Sequence, residues 1–280
     1  MTGHTRRRAA ALDPLAAVAK QVDTAVRPVF DVLCDIEATM RDIHSTAAQF
    51  GVESLARVRM VAQQTLMSNA GWIAGTGYVS AVDVLADMPR WLEWWIAGPN
   101  GPEPLRVDLD PRLPDYYDYT SSEWFERPRD TGETWVAGPY VDVRGTNEYT
   151  VTAAMPIRSR DVFLGVAAAD LYLSGLELRL LPMLNKLGRP VVLANDDGRV
   201  IASTDWRVLP GELLDESGKP PTTPCRHFPW RVVASDLVEL AVTRGRLRRD
   251  GPRTSTPPPS SCRGSTAFGT TTLVAHWAAR

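Results

Sequence analysis

Gly138-Pro-Tyr-Val-Asp142, Val151-Thr-Ala-Ala-Met-Pro-Ile157 and Leu164-Gly-Val-Ala-Ala-Ala-Asp170 are the stretches that decide how this chain folds. The first two flank Arg144-Gly-Thr-Asn147, and the last two flank Arg158-Ser-Arg-Asp161. Short apolar runs bounded by polar turn residues read as strands of an antiparallel sheet. Asp170 closes the last run. A carboxylate at the end of a buried strand is costly to desolvate, so it is retained where it has a partner or a ligand. Asp142 ends the strand before and suits hairpin chemistry as well as a site. Thr152 sits mid-strand, where its hydroxyl can turn inward.

Upstream, Leu15, Val18, Val22, Val26, Val29, Leu33, Ile36, Met40 and Ile43 recur at spacings of three and four, which predicts a long helix over 15–45. Asp13-Pro14 supplies a cap and a first-turn proline. Pro28 is expected to kink or divide the helix. The stripe serves either to cover a core or to pair with a second copy as a homodimer. A second helix is predicted over 52–69 and a glycine-bearing strand over 72–79. The aromatic stretch Tyr116-Tyr-Asp-Tyr119 and Glu123-Trp-Phe125 follows a Pro/Gly/Asp-rich loop.

Downstream, Leu173, Leu176, Leu180, Leu181 and Leu184 predict a helix over 171–187 closed by Gly188. On that reading Asp170 can also cap the helix. Pro190-Val-Val-Leu-Ala194 and Arg199-Val-Ile-Ala-Ser203 form a hairpin across Asn195-Asp-Asp-Gly198, and Trp230-Arg-Val-Val-Ala234 is a further strand. Past residue 244 periodicity stops, and a Pro/Ser/Thr-rich basic tail is expected to be disordered.

Composition narrows the function. The chain has 280 residues, 44% apolar and 23% charged, with a net charge of −2. That is globular and gives no general case for nucleic acid. The basic run Arg244 to Arg249 is the cue for an alternative, transcription-linked role. Three scattered cysteines and four scattered histidines form no metal-ligand spacing, so neither metal nor cofactor is expected. No run reaches the roughly 18 apolar residues of a membrane span. Asp13-Pro14 breaks what would be a signal-peptide core after Arg6-Arg-Arg8, so a cytoplasmic location with no membrane partner is expected. No nucleophile elbow, zincin motif or phosphate loop is present, and an enzyme is not expected. An enzymatic reading would have to use Asp142 and Asp170 as an acid/base pair.

The order of these elements, with Trp124-Phe125, Gly138-Pro-Tyr-Val-Asp142, Val151-Thr-Ala-Ala-Met-Pro156 and Phe163-Leu-Gly-Val-Ala-Ala-Ala-Asp-Leu171, resembles the Cache family of PAS-like sensor domains. Asn195-Asp-Asp-Gly-Arg-Val-Ile-Ala-Ser203 is similar to the start of the second lobe in double members. The resemblance spans about residues 15–235. It implies an α+β fold: a long N-terminal helix with a PAS-like antiparallel sheet lobe (12–188), a smaller, partial second α/β lobe (189–240), then the tail (241–280). It also implies a small-molecule sensor that signals through a partner or a dimer. Trp124, Phe125, Tyr140 and Asp170 would line the pocket, with Tyr117, Tyr119, Asp142 and Thr152 as further candidates. Amino-acid-binding members carry an Arg two residues before the Trp. Here that position is Ser122, with Arg127 and Arg129 nearby. A carboxylate among aromatic faces suits an ammonium group, so the expected ligand is an amine, or next an amino acid.

Overall fold

The computed structural model describes residues 13–141, 149–214, 216 and 218–235. The chain divides into a compact unit, Met1–Ala241, and a remainder, Val242–Arg280. The predicted tail, with Arg246 to Arg249, lies outside the described residues, as do Asp142 and the turn at 144–147.

The first helix, α1 (Pro14–Thr46), begins where the sequence places it: the Asp13 carboxylate accepts the Leu15 N–H at 3.1 Å. It runs unbroken through Pro28, so of the two expected effects the division does not occur. Its stripe is spent inside the chain, because Val26, Val29, Leu33, Ile36 and Met40 are fully buried against the protein's own sheets. That stripe is therefore not a free seam for a second copy. Residues 52–68 divide into a 3-10 turn, Val52–Leu55, and α2 (Ala56–Ser68).

Then follow β1 (Ile73–Ser80), β2 (Leu92–Gly98), β3 (Gly101–Pro104), α3 (Glu123–Thr131), β4 (Trp135–Val141), β5 (Tyr149–Ser159) and β6 (Val162–Tyr172). These strands make one antiparallel six-stranded sheet in the order β3-β2-β1-β6-β5-β4. The long central strands β5 and β6 are buried on both faces, hence their near-continuous apolar runs. Val151, Ala153, Ala167 and Ala169 pack toward α1. Ala154, Val166 and Ala168 pack on the opposite face, toward α3. Gly77 of β1 is a close-approach position, since a Cβ there would lie 2.0 Å from the Glu93 carbonyl oxygen.

The rest of the compact unit is α4 (Leu173–Leu184), β7 (Val191–Asn195), β8 (Val200–Ser203), β9 (Thr222–Pro224) and β10 (Trp230–Ala234). A second sheet runs β8-β7-β10-β9. Gly188 takes a left-handed φ of 65° and ends the helical segment, as its position predicts. The two lobes are tied by directed bonds. Asp23 of α1 is buried and accepts the Arg226 and His227 N–H groups at 2.8 and 3.0 Å. Asn195 donates its side-chain amide to the Gly138 carbonyl at 2.9 Å. Among the described residues, no helix is long and apolar enough to cross a membrane.

Candidate functional site

Asp170 lies inside β6, not at a helix start. The next helix opens at Leu173 with Tyr172 in the cap position and no side-chain cap bond. The structure thereby removes the capping role for Asp170. Parity does the rest. Asp170 faces the same side as Val166 and Ala168, and it sits in register with Thr152 on one flank and Gly75 on the other. It therefore points to the α3 side of the sheet.

Three of the predicted residues form one hydrogen-bonded row there. Thr152 is 1% exposed and donates its hydroxyl to Asp170 Oδ1 at 2.5 Å. Tyr140 OH lies 2.5 Å from the same Thr152 oxygen. Thr152 has a single proton, already given to Asp170, so Tyr140 is the donor to Thr152. A β-bulge between Ala137 and Tyr140 shifts the β4 register and pairs Tyr140 with Thr150. Gly138, at φ 102°, supplies the backbone freedom for that bulge. The Gly138-Pro139 peptide is cis.

The aromatic candidates form the layer above. The sequence pattern puts Trp124-Phe125 after an aromatic-rich loop, and the structure places both on α3. Two turns suffice to bury Phe125 and Pro128, and Gly132 closes the helix with a left-handed φ of 74°. Phe125 is 2% exposed and makes edge contacts with Tyr119, Trp124 and Phe163 at 5.1, 6.1 and 5.7 Å. Tyr119 is fully buried and donates its hydroxyl to the Ser80 carbonyl at 2.9 Å. Burial raises its phenol pKa, so it stays neutral. Phe125 and Tyr119 thus back the site as packed core and present no open face. Trp124 and Tyr117 are half-buried against the same cluster. The adjacent Trp94 and Trp95 diverge, as strand alternation requires: Trp94 joins the α3-side cluster and Trp95 the α1 side.

The two arginines offered as substitutes at Ser122 are engaged elsewhere. Arg129 pairs with Asp130 at 2.7 Å. The Arg127 guanidinium lies 4.9 Å from the ring centre of Trp135. Trp135 is a residue that sequence reasoning passes over. It is in register with Ala154, so it faces the α3 side, and its buried indole N–H has no hydrogen-bond partner among the described residues. The turn-to-strand position of Trp135 is visible in the sequence, but the orphan donor is a tertiary fact. Among the described residues, no His/Cys/Asp/Glu group is placed to hold a metal.

A sequence model of the first PDC sensor domain of methyl-accepting chemotaxis protein-like receptors matches residues 106–177. That span contains every candidate site residue named above. A search of curated proteins finds no match to the sequence. Among solved structures, the ligand-binding domain of the Pseudomonas aeruginosa PAO1 amino-acid chemoreceptor PctC, in complex with GABA, is similar at 20% identity. It aligns with a TM-score of 0.52 over 81% of this chain and 96% of its own. A methyl-accepting chemotaxis protein X gives a TM-score of 0.60 at 15% identity, over 79% and 93%. The P. aeruginosa PctB domain with L-Arg gives 0.54 at 17%, over 80% and 93%. The fold is α+β and of the Cache (PDC) type, as the resemblance implied.

Proposed function

We propose that this Cache-type fold is a sensor module whose first lobe binds a small amine or amino acid and does no chemistry. The observation that carries the reading is the Tyr140–Thr152–Asp170 row on the inner face beneath α3. Among the described residues, both hydroxyl protons of that row run toward the carboxylate, which supports reading Asp170 as an acceptor for a cationic group. Trp124 and Tyr117, packed on the same face of the sheet, offer ring faces of the kind that hold ammonium groups. Similar folds have been solved with amine-bearing ligands, GABA and L-Arg. Among the described residues, Asp170 accepts from the Thr152 hydroxyl, which supports its reading as a binding anchor. Output would pass to a partner through α1, which packs on both sheets.

Isothermal titration of the full chain with a panel of small amines and amino acids tests this. At least one should bind, and Asp170→Asn should weaken it by about tenfold or more, the worth of a charge-assisted hydrogen bond. A folded protein that answers none of the panel sinks the reading.

A further inference from the structure

A second polar cluster lies two strands from Asp170, on the other face of the sheet. Glu93 of β2 is 4% exposed, on the α1 side. Arg59 of α2 clasps it through Nε and Nη2 at 3.0 and 3.3 Å. The indole N–H groups of Trp95 and Trp91 donate to its two oxygens at 3.0 and 3.3 Å. Each carboxylate oxygen thus accepts two bonds, and Glu93 has no capacity left for a ligand ammonium.

Beside this cluster the sheet edge opens. β3 pairs with β2 only over Trp95–Gly98, and the Leu105 N–H bonds the Trp94 carbonyl at 3.0 Å. Residues 106 and 107 then leave the sheet, and a cavity of about 540 Å³ separates them from the first half of β2. Its walls are indole rings and aliphatic groups, with Arg59, Glu93 and Arg106 as the charged members. Glu93 already neutralises Arg59. Arg106 makes no hydrogen bond or ion pair with any described residue, and its side chain adds an uncompensated positive charge at the rim.

We infer that this cavity is a second ligand site, and that it takes a small carboxylate with an aromatic body. The indoles of Trp91 and Trp95, on the α1 side with Glu93, offer the flat faces that select the ring. The available hydrogen-bonding groups of Arg106 and the outer edge of Arg59 are donors only, so they select an acceptor with negative charge. This preference is opposite in sign to that of Asp170, so the two sites answer different chemical classes. It does not depend on the sensor reading of the Asp170 row.

Phenylacetate is the probe, and phenethylamine its charge-reversed control, titrated into the full chain with tryptophan fluorescence and calorimetry as readouts. Phenylacetate should bind. Arg106→Ala, a position at the cavity rim, should weaken it about tenfold, and Val107→Trp should abolish it by filling the cavity. Asp170→Asn should leave it unchanged, and phenethylamine should not compete. Circular dichroism reports that each variant is folded, and if Val107→Trp misfolds, Arg106→Ala decides alone. Lack of phenylacetate binding to the folded parent protein overturns the inference. So does binding indifferent to Arg106→Ala, binding lost in Asp170→Asn, or displacement by phenethylamine.

Discussion

Thr152 contributes one hydroxyl, and both of its roles are taken: acceptor from Tyr140, donor to Asp170. Valine has nearly the same shape but neither role. Thr152→Val should cost about 1–3 kcal/mol, the penalty for leaving buried polar partners unsatisfied, measured as a lower urea midpoint. It should also weaken whatever ligand the titration panel identifies, because Asp170 loses its fixed orientation. A variant as stable as the parent would show that the row is not bonded as described. The residue types Tyr, Thr and Asp are legible in the sequence, and their strand positions follow from alternation. That they touch is not legible, because the register of β4 against β5 is set by the bulge at Gly138, which no local pattern announces.

The strands β1 and β2 illustrate what close packing demands of an element. The glycine pair Gly75 and Gly77 reads in sequence as a bulge or a close backbone approach, and the structure shows the approach. At Gly77 the neighbour is backbone: the Glu93 carbonyl oxygen is 2.0 Å from where a methyl group would sit, and it cannot rotate away. Gly77→Ala should therefore separate β2 from the sheet, with a loss of several kcal/mol that exceeds the usual overpacking cost of about 1–3 kcal/mol. Denaturant melts read it directly, and a parent-like midpoint would refute it. α1 is the most legible element, because cap, first-turn proline and stripe all agree along 33 residues. α3 is the least legible. It is nine residues long and mostly charged, with Phe125 and Pro128 as its buried residues, so its helicity comes from tertiary packing and not from periodicity.

At the scale of the molecule, stability rests on a few buried carboxylates that join distant segments. Asp23 connects α1 to the loop before β10. Asp23→Ala would leave two backbone N–H groups unpaired, and should cost about 1–3 kcal/mol while raising hydrogen exchange in β9 and β10 more than in β5 and β6. Uniform exchange would show that the lobes do not depend on this tie. Asp205 closes the second lobe by accepting from Arg207 at 2.7 Å and from the Ser235 hydroxyl at 3.0 Å. The Arg207 guanidinium holds the Asp205 carboxyl down at about 2, below the usual carboxylate value. Its folded pKa is thus depressed, so its contribution is complete above about pH 4 and is lost as pH falls toward 2. Thermal melts across that window should show a steep fall that Asp205→Asn makes shallower. Sequence by itself determined the long helix, the order of strands, the α+β class and the identity of the polar residues, because these follow from local periodicity, turn chemistry and the cost of burying a carboxylate. Only the tertiary structure decided that the α1 stripe is consumed within the chain, that α3 is a helix, that Asp170 belongs to a row with Thr152 and Tyr140, and that Glu93 is saturated beside an open cavity. Those facts depend on strand register and on contacts between segments far apart in sequence, where a shift of one residue turns every side chain to the other face.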